Sequence, residues 1–331
     1  MQELQNYIES SQKVVIIPHK NPDGDALGSC LGWQIFLTKL GKETTVVSPN
    51  DYPKFLKWMP QQEHIINAEA TPDQASALIG DADLIFCLDF NDLGRIDDLG
   101  ELVQSSSASV VMIDHHENPK DFADLMISKP EMGSTSEMIY DCIMAIDSSL
   151  LDPAMASCLY TGIMTDTGSF RFPSTTPATH RAVATLMEAG AVHSEIHQNI
   201  YDSYTFDRLR LLGIALSNMK KLETLPVVYI HLSADELESV NYQKGYTEGF
   251  VNYGLRLDGI QLAVIMIDHP QEGKVKMSFR SKGNFPAHHF AAAHFNGGGH
   301  LNAAGGVSYD SLEKTVETFL HAIENFAHDF S

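Results

Sequence analysis

Cysteine is scarce in this chain: Cys30, Cys87, Cys142 and Cys158 are the whole set, none in a Cys-x-x-Cys pair and most within apolar stretches. That excludes a disulfide framework and a cysteine zinc site, and it predicts buried free thiols in a reducing compartment. Basic residues are scarce as well, with 22 Lys and Arg against 43 Asp and Glu and a formal net charge of −21. A broad grip on duplex DNA needs many cations facing phosphates, so duplex DNA is excluded as a partner, whereas a small basic site for a few nucleotides is not. No apolar run approaches the roughly 18 residues of a membrane span, so no membrane partner is expected. The opening MQELQNYIESSQK lacks a basic start followed by an apolar run. No signal peptide is therefore expected, and a cytoplasmic location is. Internal repeats and low-complexity tracts are missing too.

What is present describes a folded protein. Of 331 residues, 44% are hydrophobic and 20% charged, enough to bury a sizeable core and long enough for two domains. Residues 1–190 hold 11 Lys and Arg against 27 Asp and Glu, whereas residues 191–331 hold 11 against 16. Val14–Ile17, Leu84–Leu88 and Val110–Ile113 are continuous apolar runs, as expected of strands buried on both faces of a parallel sheet. Residues 24–40 place Leu27, Leu31 and Ile35 on one helical face, and Gly41 follows as a C-cap. The alternation predicts an α/β fold, with a doubly wound, mainly parallel sheet over residues 1–190. Residues 133–222 read as mostly helical, most clearly over 152–165, 177–190 and 205–222, and residues 191–224 read as a helical connector. Strand patterns return at Val227–His231, Gln261–Ile267 and Lys274–Phe279. A helix over 286–294, a glycine-rich loop and a last helix over 311–327 complete a smaller α/β domain over 225–331.

Each buried strand of the first half ends in acid or histidine. After Ile17 comes Pro18-His19-Lys20-Asn21-Pro22-Asp23-Gly24-Asp25, after Leu88 comes Asp89, and after Ile113 comes Asp114-His115-His116. Ligands of such sheets bind beyond the carboxyl ends of the strands, so these groups converge on one crevice. Like charges crowded there repel unless a cation sits among them. Asp and His without Cys favour a hard or borderline divalent ion such as Mn²⁺ or Mg²⁺. Any one of these Asp residues reads equally as a helix cap or turn residue, and His115-His116 reads equally as a solvated loop. Neither alternative explains three successive strands ending alike. Thr165-Asp166-Thr167-Gly168 adds a further Asp between small residues at the end of a helical stretch.

His19-x3-Asp23-x-Asp25, then Asp89, then Asp114-His115-His116, then Asp166 resemble, in order and context, the four motifs of the DHH phosphoesterase family. Arg280-Ser281 and Gly297-Gly298-Gly299-His300, followed by Ala303-Ala304-Gly305-Gly306, resemble that family's DHHA1 domain, so the resemblance covers nearly the whole chain. In size the chain is similar to the two-domain branch that degrades short oligonucleotides and dephosphorylates pAp. The resemblance implies two divalent cations, Mn²⁺ or alternatively Mg²⁺. It implies His19 and Asp23 on one ion, Asp25, His115 and Asp166 on the other, and Asp89 on both. It implies that Asp114 orients its neighbours and that His116 faces the substrate phosphate, Asp89, Asp114 and His116 being the catalytic group.

On the substrate side, Lys274, Lys276, Arg280 and Lys282 fall close together with no acid among them. Alternation puts Lys274, Lys276, Ser278 and Arg280 on one face. They read either as a phosphate site or as a solvated edge strand, where Lys is common. Gly297–Gly299 reads as a loop whose backbone approaches a ligand or as a flexible turn. The resemblance favours binding, with Arg280, Ser281, Gly298, Gly299 and His300 as the substrate residues and Arg256 and Lys282 beside them. The expected activity is metal-dependent hydrolysis of short single-stranded oligonucleotides to nucleoside monophosphates, together with removal of the 3′-phosphate of pAp. A cyclic- or linear-dinucleotide phosphodiesterase and an exopolyphosphatase-like phosphohydrolase are the enzyme alternatives, and a nucleotide-binding sensor is the non-enzyme one. Monomer and homodimer both remain open.

Overall fold

The computed structural model describes residues 1–326, 328 and 330 and divides into two compact units, Met1–Ser203 and Tyr204–Ser331. The division falls inside the segment expected as a connector. Its two helices are not a separate piece: Ile196 and Ile200 join the core of the first unit, and Leu211 and Ala215 join a core of the second.

The first unit runs α1 (Gln2–Ser10), β1 (Lys13–Pro18), α2 (Gly24–Lys39), β2 (Glu43–Ser48), β3 (Ile66–Asn67), α3 (Pro72–Gly80), β4 (Leu84–Leu88), α4 (Leu99–Ser105), β5 (Ser109–Asp114), β6 (Leu125–Ser128), α5 (Thr135–Asp147), α6 (Pro153–Asp166), α7 (Pro177–Glu188) and α8 (His193–Tyr201). Its six strands are all parallel, in the order β3-β2-β1-β4-β5-β6. Alternate residues of the apolar runs enter two different cores. Val14, Ile16, Leu84, Phe86, Val111 and Ile113 pack toward α2, α5 and α6, whereas Val15, Ile17, Ile85, Cys87, Val110 and Met112 pack toward α3 and α4. This is why the runs read as unbroken hydrophobicity: both faces are covered. All four cysteines are buried free thiols. Among the described residues no helix is long and apolar enough to cross a membrane.

α2 is buried along nearly its whole length against α6. Gly24, Gly28 and Gly32 form a stripe one turn apart, and a Cβ on Gly28 would collide with the Cys158 carbonyl. The missing side chains let the two helices approach closely, which brings Asp25 near the end of α6. Asp23 caps α2, accepting hydrogen bonds from the backbone N–H groups of Asp25 and Ala26. Gly41 follows the helix with φ 83° and donates to Thr38, so its expected capping role holds.

The second unit runs α9 (Phe206–Ser217), β7 (Lys220–Lys221), β8 (Val227–Leu232), α10 (Ala234–Glu238), α11 (Val251–Gly254), β9 (Leu262–His269), β10 (Lys274–Ser281), α12 (Ala287–His294), β11 (Gly298–His300), β12 (Ala303–Ser308) and α13 (Leu312–Asn325). Its mixed sheet has the order β11-β12-β10-β9-β8-β7, with β8 and β9 parallel and the other pairs antiparallel. The edge-strand alternative for residues 274–281 therefore fails, because β10 lies between β9 and β12.

Candidate metal centre

The chain delivers its polar groups to one edge of the parallel sheet. His19 follows β1 directly, Asp23 and Asp25 open α2, Asp89 follows β4, Asp114 ends β5 with His115 and His116 after it, and Asp166 ends α6. Asp89 has φ 66°, a left-handed conformation that few non-glycine residues adopt. That turn points its carboxylate back toward the neighbouring strand ends.

The two oxygens of Asp89 face two different sets of donors. Oδ2 lies 3.6 Å from His19 Nε2, which is 4.0 Å from Asp23. Oδ1 lies 3.5 Å from His115 Nε2, which is 3.3 Å from Asp166 and 3.9 Å from Asp25. Two donors bound to one ion at about 2.1 Å lie about 3.0–3.5 Å apart; the 3.3 and 3.5 Å gaps around His115 fall in that range, and the 3.6–4.0 Å gaps lie somewhat beyond it. His19 Nδ1 lies 2.8 Å from the Lys20 carbonyl and His115 Nδ1 lies 3.1 Å from the Met132 carbonyl. Each carbonyl fixes the proton on Nδ1 and leaves Nε2 as the donor atom, the usual arrangement of a metal-ligating histidine. His19-Asp23-Asp89 and Asp25-His115-Asp166 thus each form a group able to hold a metal ion, as does Asp89-His115-His116.

His116 is held differently. Its Nδ1 is 2.7 Å from Asp114 Oδ1, and its backbone N–H donates to Asp114 Oδ2 at 2.8 Å. Asp114 is fully buried. A buried carboxylate on Nδ1 fixes the ring and supports a proton on Nε2, which suits acid–base work.

Two residues that the motif pattern does not contain complete the centre. The backbone N–H groups of Thr135 and Ser136 donate to the Asp25 carboxylate at 2.7 and 2.8 Å, and the Thr135 hydroxyl donates to Asp89 at 2.9 Å. These amides are the first of α5, so the helix N-terminus faces a buried anion. The available signal was Ser134-x-x-Glu137, an N-terminal helix signature that Ser134 fulfils by capping Glu137.

The charges are strongly interdependent. Burial pulls the His19 imidazole down, but the Asp89 and Asp23 carboxylates outweigh that and push it up to about 9. Burial likewise opposes the His115 cation, and Asp89, Asp166 and Asp25 together raise it. Burial and the Asp89 and Asp166 charges hold Asp25 above the usual carboxylate range. Asp166 is also raised, by burial and then by Asp23 and Asp89, against the pull of His115. Burial pushes Asp89 up, but His19, His116 and His115 hold it well below that range. Cations would replace the protons that this cluster otherwise retains.

In the second unit, Arg280, Ala303 and His300 fall in one row across β10, β12 and β11. Along β10, Lys274, Lys276, Ser278 and Arg280 are half-buried and alternate with buried residues, as expected. Lys274 and Lys276, however, pair with Glu272 at 2.7 and 2.8 Å. The Arg280 guanidinium donates to the Phe279 carbonyl. Ser281 is turned inward: its hydroxyl donates to the Phe285 carbonyl and accepts from Asn302. Lys282 donates to the Leu255 carbonyl, next to Arg256, whose guanidinium lies 4.6 Å from the Tyr253 ring centre. Gly298 and Gly299 are not in a loop: they belong to β11, paired with β12. A Cβ on Gly299 would collide with the Ala303 carbonyl, so glycine is needed for that pairing, whereas Gly298 faces open space. The His300 side chain lies outside the described residues.

Imidazole and carboxylate donors gathered in this way at the carboxyl edge of a doubly wound sheet define a metal-dependent hydrolase. The amino-terminal domain model of the DHH family matches residues 13–163, and the DHHA1 domain model matches residues 226–329. A bifunctional oligoribonuclease and PAP phosphatase of Thermus thermophilus is 31% identical over 315 residues, covering 94% of this chain and 89% of the relative. Its namesake in Bacillus subtilis is 28% identical, covering 93% of each chain. The crystal structure of an exopolyphosphatase-related protein from Bacteroides fragilis superposes with a TM-score of 0.95 at 39% identity, covering 98% of this chain and 96% of that one. The chain belongs to the DHH family of phosphoesterases, with a DHHA1 domain following its DHH domain.

Proposed function

We propose that this protein hydrolyses short single-stranded oligonucleotides to nucleoside monophosphates and removes the 3′-phosphate of pAp. The observation that carries the reading is Asp89, whose two oxygens lie between two separate histidine–carboxylate sets. In this reading His19 and Asp23 would hold one ion, Asp25, His115 and Asp166 would hold a second, and Asp89 would serve both. The donor set, oxygen and imidazole without sulfur, suits Mn²⁺, with Mg²⁺ as the alternative. Bound ions of this kind supply an activated water near neutral pH and neutralise charge on the phosphoryl oxygens. The chain's own residues do the rest. Thr135 and Ser136 fix the Asp25 carboxylate. Asp114 fixes His116, whose Nε2 gives a proton to the leaving oxygen. In the DHHA1 domain, Arg280 takes a phosphate, with Gly298, Gly299 and His300 beside it in the same sheet. Ser281 and Asn302 hold the end of that strand, and Arg256 and Lys282 widen the basic surface. The relatives named as oligoribonucleases and PAP phosphatases support this substrate class, and a cytoplasmic site of action agrees with it.

The test is a product time course on oligonucleotides of two to about twenty-five residues, with pAp alongside, in Mn²⁺, in Mg²⁺ and in chelator. Metal-dependent release of mononucleotides, fastest from the shortest oligomers, is expected. Preferential cleavage of a cyclic dinucleotide or of polyphosphate would displace this reading in favour of the corresponding alternative.

A further inference from the structure

Two stretches longer than twenty residues lack Asp and Glu entirely in this acidic chain: residues 167–187 and residues 273–309. The second contains Arg280 and the glycine-rich hairpin, which the proposed function already uses. The first begins at the residue after Asp166 and has no role in that reading. It carries Arg171, His180 and Arg181 together with Phe170 and Phe172, in a domain otherwise dominated by carboxylates.

Its first part is a fixed platform beside the metal centre. Gly168, Ser169 and Phe170 have φ of 58°, 60° and 64°, and this left-handed turn folds the chain back. The backbone N–H groups of Arg171 and Phe172 then both donate to the Thr167 carbonyl, at 3.0 and 3.1 Å, one residue from Asp166. Thr167 is buried, and the Phe170 ring lies 6.0 Å from Tyr160 and 5.8 Å from His180. On this base Arg171 and Phe172 are exposed, Phe172 to 46%, its ring lying over Gly168. Arg171 Nε donates to the Gly168 carbonyl at 2.6 Å, which orients the guanidinium. No carboxylate pairs with it among the described residues, whereas Lys13, Lys39 and Lys57 of the same domain pair with Asp81, Asp152 and Asp51.

An oriented guanidinium beside an exposed aromatic ring is the chemistry that holds one phosphate and one base of a single strand. The absence of acids within this stretch limits its repulsion of a polyanion in an otherwise acidic domain. We propose that Arg171 and Phe172 bind the nucleotide next along the strand from the scissile phosphate, and so select oligonucleotides over single nucleotides. The proposal rests on the oligonucleotide activity argued above. A single nucleotide such as pAp has no further nucleotide to place there.

The experiment compares kcat/KM for a tetranucleotide with kcat/KM for pAp in wild type, Arg171→Gln and Phe172→Ala, each checked for an unchanged melting temperature. Alongside, a fluorescent tetranucleotide is titrated in chelator and read by anisotropy, which needs no turnover. A charge-assisted phosphate contact predicts that Arg171→Gln lowers the tetranucleotide-to-pAp ratio about tenfold or more and weakens binding by a similar factor. Loss of one stacked base predicts a fall of about tenfold in Phe172→Ala. Ratios within about twofold of wild type in both variants overturn the proposal. Equal losses on both substrates also overturn it, because Arg171 would then serve the scissile phosphate. A wild-type enzyme that cleaves pAp but no oligonucleotide defeats the proposed function itself, and this inference with it.

Discussion

Asp89→Asn isolates the proposed bridging carboxylate with little disturbance of shape. Asparagine tolerates the left-handed backbone that Asp89 adopts at φ 66°, which alanine does not, and it can still accept the Thr135 hydroxyl bond. The change removes one charge placed 3.6 Å from His19 and 3.5 Å from His115. Removing one preorganised stabilising group at a reacting centre costs about 10²–10³ in kcat. Because Asp89 serves both sets, kcat/KM for a dinucleotide in Mn²⁺ should fall about 10³-fold or more. Metal content, measured by elemental analysis after gel filtration, should fall with it. Neutralising Asp89 removes its repulsion of Asp25 together with its attraction for His19 and His115, so the metal-free variant should melt close to metal-free wild type. Turnover within tenfold of wild type, or wild-type metal content, would refute the bridging role. A large drop in melting temperature would show instead that Asp89 is mainly structural.

Four further outcomes follow from the same geometry. His115→Ala should lose metal, whereas His116→Ala should keep both ions and lose turnover; equal metal loss in the two would show the pair wrongly assigned. Asp114→Asn should lower kcat with little change in KM or metal content, because the ring nitrogen 2.7 Å away loses the carboxylate that fixes its proton; an unchanged kcat argues against His116 as the proton donor. Arg280→Ala should raise KM for oligonucleotides about ten- to a hundredfold with metal retained, and should matter less for bis-p-nitrophenyl phosphate; equal effects on both substrates would place Arg280 elsewhere. In the metal-free protein, His19 binds its proton more tightly than in the unfolded chain, so the stability it contributes is fully present below pH 6.5 and is lost as pH rises through about 9. The raised Asp166 carboxyl also favours low pH, so the gap in melting temperature between metal-loaded and metal-free protein should widen as pH rises from 6 to 9, and a constant gap contradicts this.

The strands that carry the centre were legible because they are buried on both faces, which leaves a local mark, an unbroken apolar run. The acids and histidines at their ends were legible because each lies directly after such a run. The flanking strands left no such mark. β3 has two residues, β6 is half-buried throughout, and the first half of β2 is polar and partly exposed. Thr135 and Ser136 escaped for another reason. Their partner Asp25 lies 110 and 111 residues away, and what it receives is a backbone N–H that any residue but proline could supply. Glu272 lies just outside the acid-free basic stretch, so composition alone missed its pairing with Lys274 and Lys276. The glycine-rich segment read as a loop because glycine weakens strand propensity. Here close packing of a hairpin requires it at Gly299, and the strand forms regardless.

The centre also shows how a fold holds four carboxylates together before any cation arrives. Asp23 spends its charge on the first amides of α2, Asp25 on the first amides of α5, and Asp89 on the Thr135 hydroxyl and the surrounding histidines. Asp166 sits at the opposite kind of terminus, the last residue of α6, where the helix dipole disfavours a negative charge. Its side chain remains 35% exposed, and its carboxyl is one of the two that the crowding raises. Asp23, Asp25 and Asp89 thus accept hydrogen bonds from fixed dipoles, while Asp166 depends on His115 and solvent. Asp25 and Asp166 are therefore the carboxylates with most to gain from a cation. The acid-free turn that follows Asp166 keeps further negative charge away from it, which limits repulsion at one of the two carboxylates that the crowding raises.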